Sequence, residues 1–221
     1  HPNSRFTVSA KQNPAYNHLM EHPEGVPISA ILFGGRRREV APLVYEARDW
    51  KHGVMVGAGM ASETTAAAVG AVGVVRRDPM AMKPFCGYNF ADYFAHWLSF
   101  DQPGAKLPKV FHVNWFRKGD DGKFLWPGFG DNMRVLEWML KRVDGQADSV
   151  ETPIGRLPVL EEVNLDGVPL GEEAREKLFG YDREGWRQEF SGIAEFLDEY
   201  GARMPDALKR QAAAIQRSLE S

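Results

Sequence analysis

Cysteine is almost missing from this chain of 221 residues, in which Cys86 stands alone. A single cysteine excludes an internal disulfide framework and fits a reducing compartment, so we expect a cytoplasmic protein. Long apolar runs are missing too: no stretch approaches the roughly 20 residues of a membrane-spanning helix. No charged-then-apolar signal segment opens the chain. The sequence therefore predicts a protein without a membrane partner.

A basic excess is also absent. The 27 Lys and Arg residues against 30 Asp and Glu residues give a formal net charge of −3. Nucleic-acid-binding proteins usually carry clustered basic charge, so we expect no nucleic-acid partner. The length is sufficient for one large hydrophobic core. Because His1 rather than Met opens the chain, we expect a fragment, a cleaved product or a trimmed polypeptide.

The hydrophobic pattern predicts a mixed α/β fold, with a β-rich core in residues 1–158 and a helical C-terminal cap in residues 159–221. Short apolar runs between glycines and prolines predict strands. They lie at residues 5–9, 28–33, 43–45, 54–57 and 110–115. Apolar residues at helical spacing predict an amphipathic helix within residues 86–100 and a helix that ends near Gly145. Further stripes predict two C-terminal helices separated at Pro205.

Three consecutive arginines, Arg36 to Arg38, follow the apolar run 28–33 and two glycines. A strand that ends in this way brings guanidinium groups to the edge of a sheet, where each offers a two-donor fork to phosphate or carboxylate. A run of like charges is more commonly a solvated turn. The motif alone leaves both interpretations open.

Aromatic residues surround a tight Gly/Asp turn in residues 112–132. Aromatic rings that flank a planar ligand stabilise it by stacking, and an amide or backbone group can then read a base edge. The alternative is a hydrophobic hairpin whose rings are core. We favour a pocket for a planar ligand, because glycines interleaved with Phe and Trp are less expected in a core.

A segment of small residues, 57–70, has glycines at both ends. It is either a lid that folds over a site or a short Ala-rich helix after a strand. No G-x-x-x-x-G-K-[ST] phosphate loop occurs, and Gly122-Lys123-Phe124 is not one. The histidines show no metal-ligand spacing, and we expect surface or core positions for them.

Five blocks of this sequence, in order, resemble the GTP-dependent phosphoenolpyruvate carboxykinases. They begin Asn3-Ser-Arg-Phe, Ile28-Ser-Ala-Ile-Leu-Phe-Gly-Gly-Arg36, Gly59-Met-Ala-Ser-Glu-Thr-Thr, Met82-Lys-Pro-Phe-Cys-Gly-Tyr and Asn114-Trp-Phe. The resemblance runs from Pro2 to about Pro158. It implies reversible conversion of oxaloacetate and GTP to phosphoenolpyruvate, GDP and CO₂, as in gluconeogenesis. It also implies a Mn²⁺ cofactor, and we expect a monomer.

The resemblance assigns roles residue by residue. Arg5 and Arg36 match phosphate-handling arginines, and Asn3, Ser4 and Arg5 match a substrate-contact segment. The guanine-binding positions fall on Trp115, Phe116, Phe124, Phe129, Gly130, Asp131 and Asn132. Of these, Phe116 and Phe129 would sandwich the base while Asn132 reads its edge. A mobile lid corresponds to Ser62, Glu63, Thr64, Thr65 and Ala66, within residues 62–73.

The family's phosphate loop, catalytic lysine and manganese ligands all belong upstream of the matching segment. We therefore expect no metal ligands in this chain and a missing N-terminal part of the same polypeptide, without which the chain is inactive. Two alternatives stay open: a non-catalytic module that binds guanine nucleotides, and a structural fragment that binds nothing.

Overall fold

The computed structural model describes residues 7–65 and 71–221 and has a mixed α/β architecture, as predicted. The strands in those residues are β1 (Ala30–Gly34), β2 (Val44–Glu46), β3 (Ala61–Glu63), β4 (Val75–Arg77), β5 (Lys109–Val113), β6 (Ser149–Thr152) and β7 (Gly155–Pro158). The α-helices are α1 (Trp50–Ala58), α2 (Phe90–Leu98), α3 (Asn132–Val143), α4 (Glu172–Phe179), α5 (Arg183–Asp198) and α6 (Asp206–Glu220).

Five of the described strands form one sheet in the order β1-β5-β2-β7-β6. Strands β1 and β5 are parallel, with Gly34 beside Val113, and the other neighbours are antiparallel. Parallel neighbours end at the same edge of a sheet. The arginines after β1 and the aromatic segment after β5 therefore leave the sheet side by side. Strands β3 and β4 form a separate antiparallel pair.

Two hydrophobic clusters cover the opposite faces of the five-stranded sheet. Successive residues of β5 alternate between them: Val110 packs in the cluster with α1, α2, α5 and α6, and Phe111 in the cluster with α3 and α4. This alternation follows from the two-residue period of a strand. The central strands are thus buried on both faces, and the groups free to meet a ligand lie where the strands end.

The predicted strand at residues 54–57 is wrong, because these residues lie inside helix α1. Asp49 caps the helix by accepting a hydrogen bond from a backbone N–H of its first turn. Nearly every residue of α1 is buried, so the sequence lacks the one-sided stripe by which a helix is recognised. A Cβ on Gly53 would come within 2.6 Å of Val110, so this glycine lets α1 lie directly on the sheet.

The remaining secondary-structure predictions are largely confirmed. The predicted strands at 28–33, 43–45 and 110–115 correspond to β1, β2 and β5, and the predicted helices to α2, α3, α5 and α6, with Pro205 directly before α6. Residues 7–9 form no strand, and the rest of the predicted first strand lies outside the described residues. The domain boundary at residue 158 stays a prediction. In residues 7–65 and 71–221, no helix has the length and apolar character needed to cross a membrane.

Candidate functional site

The three arginines after β1 have three different environments. Arg37 is buried, and its two terminal nitrogens donate to the carboxylate of Glu189 at 3.1 and 2.7 Å. Arg38 pairs with the buried carboxylate of Glu63, with Nε at 3.0 Å from Oε2. These two arginines have carboxylate partners, and the solvated-turn interpretation is wrong for the buried Arg37, whereas Arg38 remains exposed. Arg36 forms no ion pair within the part of the chain that the structure describes, so it stays available to a ligand anion.

Arg36 lies against the aromatic segment. Its guanidinium carbon is 3.9 Å from the ring centroid of Phe116, a cation–π contact. Its backbone N–H donates to Ser62 Oγ at 3.0 Å, and its carbonyl accepts from the N–H of Glu63 at 2.8 Å. Gly35 is required here, because a Cβ at this position would lie 2.4 Å from the carbonyl oxygen of Ala61. The arginine, the aromatic ring and strand β3 are thus held together.

Asn114 fastens the arginine segment to the aromatic segment. This fully buried amide donates to the carbonyls of Arg37 and Ala41 at 2.8 and 3.0 Å. Its Oδ1 accepts from the N–H groups of Arg37 and Phe116 at 3.3 and 3.2 Å. Sequence reasoning gave Asn114 no role of its own. The available signal was an amide residue directly after an apolar strand.

Two of the predicted guanine-binding rings lie together. Phe116 and Phe124 meet edge to face with ring centroids 6.0 Å apart. An isolated β-bridge joins Lys118 to Phe124, and the ammonium of Lys118 lies 5.1 Å from the ring of Phe124. Phe124 is half exposed. An edge-to-face pair at the surface has one ring face free to stack on a planar ligand.

Phe129 presents its ring to solvent. It is 94% exposed and has a φ of 51°, directly after Gly128 at a φ of 76°. A positive φ is uncommon for an aromatic residue, and such strain is often found at ligand-binding positions. Gly130 is exposed as well. The fold gives the Phe129 ring no packing role.

The other predicted guanine-binding residues have structural contacts. Asn132 Oδ1 accepts a hydrogen bond from the indole N–H of the buried Trp126 at 2.8 Å, which leaves the amide nitrogen of Asn132 to donate. Asp131 accepts from Arg134 Nε at 2.9 Å. Trp115 is half-buried and packs against the α3 cluster. Of the three residues, Asn132 has the donor most suited to a base edge.

The predicted lid residues form the base of the β3–β4 hairpin. Ser62 and Glu63 lie in β3, opposite Arg76 and Val75 of β4. The backbone of Thr64 continues the pairing, because its N–H donates to the carbonyl of Val74 at 2.9 Å. Ala66 lies outside the described residues, as do Asn3, Ser4 and Arg5. The lid function of this segment stays a prediction.

One pocket, here called the Arg36 pocket, brings the three sequence features together. It is lined by Arg36 and Arg38 of the arginine segment, by Thr64 and Thr65 of the hairpin, and by Phe116, Lys118 and Phe124 of the aromatic segment. Three cationic side chains line it against one carboxylate, Glu63. This positive excess, beside two aromatic rings, suits a ligand with a planar ring and several phosphates.

No metal centre accompanies the Arg36 pocket in the described chain: residues 7–65 and 71–221 contain no group of three His, Cys, Asp or Glu side chains placed so that they could hold a metal ion. His52 and His112 are buried in the core, as predicted for histidines without ligand spacing. Burial lowers the pKa of His52 to about 3 and that of His112 to about 4. Both imidazoles are therefore neutral near pH 7.

Comparison with known proteins covers almost the whole chain. Residues 1–218 match the family model described as "Phosphoenolpyruvate carboxykinase C-terminal P-loop domain". Proteins named phosphoenolpyruvate carboxykinase [GTP] are similar to the chain. The one from Chlamydia trachomatis is 50% identical over 221 residues, which is 100% of this chain and 37% of that protein.

Two further relatives carry the same name. The protein from Chlamydia pneumoniae is 52% identical over 222 residues, which cover 100% of this chain and 37% of the relative. The protein from Thermoplasma volcanium is 51% identical over 209 residues, which cover 95% of this chain and 35% of the relative. The chain thus spans little more than a third of the length of the curated relatives it matches.

Proposed function

This chain belongs to the family of GTP-dependent phosphoenolpyruvate carboxykinases, and we propose that it supplies the guanine-nucleotide pocket of an enzyme with that activity. In the proposed reaction, oxaloacetate loses CO₂ as its carbon–carbon bond breaks. The enolate oxygen then bonds to the γ-phosphorus of GTP while the bond to GDP breaks, which yields phosphoenolpyruvate. The chain spans 37% of its relatives, so the proposal concerns the intact protein.

The main support for this proposal is the guanidinium of Arg36, which forms no ion pair in residues 7–65 and 71–221 and lies 3.9 Å from the Phe116 ring centroid. A cation beside the γ-phosphoryl group stabilises the negative charge that moves between oxygens during transfer, and such electrostatic effects dominate this chemistry. Arg37 and Arg38 already pair with Glu189 and Glu63, so Arg36 is the member of the run suited to this task. We propose that Arg5 acts beside it.

The aromatic segment would bind the guanine base. Phe116, Phe124 and the 94% exposed Phe129 supply ring faces, and stacking on such rings contributes about 1–3 kcal/mol per base. The free amide nitrogen of Asn132 would donate to a guanine acceptor, while its Oδ1 stays engaged with Trp126. Trp115, Gly130 and Asp131 would shape this loop rather than stack.

The hairpin residues Ser62 to Thr65, with Ala66, would form part of a lid over the Arg36 pocket. Thr64 and Thr65 already line that pocket beside Arg36. Closure over the bound enolate would exclude water and so prevent its protonation to pyruvate. Asn3, Ser4 and Arg5 would contact the oxaloacetate carboxylates.

The finer features implied by the family are also proposals: a Mn²⁺ cofactor, a cytoplasmic location and a monomeric state. The described residues do not fit the metal, since no three suitable ligands come together within them. Its ligands would come from the missing N-terminal part. No step is therefore assigned to the metal through residues of this chain.

A direct test is the dissociation constant of GTP for the intact protein, measured by calorimetry for the wild type and for Phe116→Ala. Loss of a stacked ring should weaken GTP by about 1–3 kcal/mol, or roughly 5- to 150-fold. The matched control is Phe85→Ala, which removes a 75% exposed phenylalanine that does not line the Arg36 pocket. This control should leave the affinity unchanged.

If both variants lost GTP affinity equally, or if both kept the affinity of the wild type, Phe116 would not belong to the nucleotide pocket. Tight GTP binding without turnover of oxaloacetate by the intact protein would favour the alternative of a non-catalytic guanine-nucleotide-binding module. No GTP binding at all would favour a structural fragment.

A further inference from the structure

A second pocket, here called the Arg117 pocket, lies between the loop 119–122 and the first turns of α5. Its volume is about 590 Å³, within the range of small-molecule sites. Glu39, Arg117, Asp182 and Gln188 line it. It shares only Arg38 and Lys118 with the Arg36 pocket and contains neither Arg36 nor the rings of Phe116 and Phe124.

Arg117 is the unusual residue of this pocket. It is only 8% exposed, yet its Nε and Nη1 are buried without a hydrogen-bond partner in the described chain. It forms no ion pair with a carboxylate of those residues. Buried guanidinium groups are normally paired, because removing a charge from water without compensation is costly. Burial accordingly lowers the pKa of Arg117, and nearby Asp182 and Glu39 only partly oppose that shift.

The nearest carboxylates do not satisfy this guanidinium. Asp182 is engaged as the N-cap of α5, where Oδ1 accepts from the N–H of Gly185 at 3.0 Å. Lys177, another cation of the pocket, is held by Asp120 and Glu173 at 2.6 Å each. Arg117 therefore lines a pocket large enough for a ligand, while two of its donors, Nε and Nη1, stay buried and unfilled in the described chain.

The charges of the two pockets favour different ligands. Four cations (Arg38, Arg117, Lys118 and Lys177) and four carboxylates (Glu39, Asp120, Asp182 and Glu184) line the Arg117 pocket, so its lining is formally neutral. The Arg36 pocket has a clear positive excess. A dianionic phosphate in the Arg117 pocket would be repelled by the surrounding carboxylates. A singly charged carboxylate would fill the guanidinium fork with less repulsion.

We propose that the Arg117 pocket binds a small monocarboxylate, and that an amino acid is the form its acidic lining favours. The carboxylate would accept hydrogen bonds from the guanidinium of Arg117, which its planar fork can donate in pairs. An ammonium group on the same ligand would face Glu39, an exposed carboxylate that forms no ion pair in the described chain. This site adjoins the proposed nucleotide pocket, with which it shares Arg38 and Lys118, but its binding groups Arg117 and Glu39 lie outside that pocket, so the proposal does not depend on nucleotide binding.

The test is ligand-observed NMR titration of the intact protein with three probes: L-alanine, L-lactate and inorganic phosphate. Alanine and lactate share the same carbon skeleton and carboxylate, but alanine carries an ammonium group where lactate carries a hydroxyl group. Saturable binding of alanine, and more weakly of lactate, is expected. Arg117→Gln should weaken both by roughly 10- to 100-fold, as expected for a lost charged hydrogen bond.

Three variants serve as controls. Arg210→Gln removes an exposed arginine of α6 that does not line the pocket, and Arg36→Gln alters only the Arg36 pocket, so both should leave alanine binding unchanged. Glu39→Gln should weaken alanine but not lactate. A loss of binding in Arg36→Gln alone would place the carboxylate in the nucleotide pocket and overturn the proposal.

Other outcomes would also contradict it. If phosphate bound more tightly than either carboxylate, the monocarboxylate assignment would be wrong. If no probe showed saturable binding, or if Arg117→Gln bound all probes as the wild type does, Arg117 would have no ligand. Thermal unfolding without ligand gives an independent measurement: a lowered midpoint in Arg117→Gln would indicate that Arg117 pairs internally with Asp182 or Glu39.

Discussion

Two regions of this molecule differ in whether a charged side chain contacts partners of opposite charge. At Glu46 in β2, which is 1% exposed, one carboxylate is reached by Lys109 at 3.1 Å, Arg142 at 2.6 Å and Arg156 at 3.5 Å. In the Arg36 pocket, one guanidinium has no carboxylate partner among the described residues and lies beside an aromatic ring. The same residue types thus build a closed ion cluster in one place and an open charge in the other.

The difference shows that the function of a charged residue depends on whether the fold supplies its partner. The ion cluster of Glu46 joins β2, β5, β7 and α3, so its charges hold elements together. Arg36 contacts the Phe116 ring but forms no ion pair in the described residues, so its charge can neutralise a ligand instead. The same contrast holds within one tripeptide, because Arg37 and Arg38 have carboxylate partners and Arg36 has none within the part of the chain that the structure describes.

The largest expected effect is the loss of stability caused by Glu46→Gln. Removing this carboxylate leaves three cations facing one another around a buried amide, so the free energy of unfolding should fall by about 3–5 kcal/mol. Urea denaturation of the intact protein measures the change. The control is Glu137→Gln, which breaks only the exposed pair with Lys141 and should change stability by less than about 0.5 kcal/mol. Similar small losses in both variants would contradict the cluster's structural role.

The second expected effect is a loss of turnover in Arg36→Gln with little loss of stability. Because Arg36 has no ion-pair partner in residues 7–65 and 71–221, its removal loses only the cation–π contact with Phe116 and should change the free energy of unfolding by no more than about 1 kcal/mol. Turnover should fall by about 10²- to 10³-fold if the guanidinium stabilises the transferring phosphoryl group. Steady-state kinetics beside urea denaturation measure both quantities.

The matched control is Arg210→Gln, an exposed arginine of α6 away from the Arg36 pocket, which should change neither quantity. A raised KM for GTP with unchanged kcat would reassign Arg36 to ground-state nucleotide binding. A large loss of stability would mean that Arg36 belongs with Arg37 and Arg38 as a structural arginine.

Sequence reasoning identified the elements with a visible period and the residues that match a family motif. Strands β1 and β5 are apolar runs of ordinary length, and helices α5 and α6 have clear apolar stripes. Helix α1 was predicted as a strand, because burial on all sides removes the hydrophobic period that distinguishes a helix from a strand.

Pairings between distant residues could not be predicted in this way. Arg37 finds Glu189 152 positions along the chain, and Asn114 reaches back 77 positions to Arg37. The sequence around three consecutive arginines does not indicate which two form ion pairs, because tertiary packing brings their carboxylate partners to them. The unfilled donors of Arg117 were likewise invisible, since burial and the absence of a partner are properties of the folded chain.

Whether the Arg36 pocket selects guanine can be measured as the formation of phosphoenolpyruvate from oxaloacetate by the intact protein, with GTP and with ATP as the phosphoryl donor. If the Arg36 pocket binds guanine, kcat/KM should be at least about tenfold higher for GTP, because polar groups that read the guanine edge are left unpaired by adenine. Equal values for the two nucleotides, or no GTP-dependent product, would contradict the account.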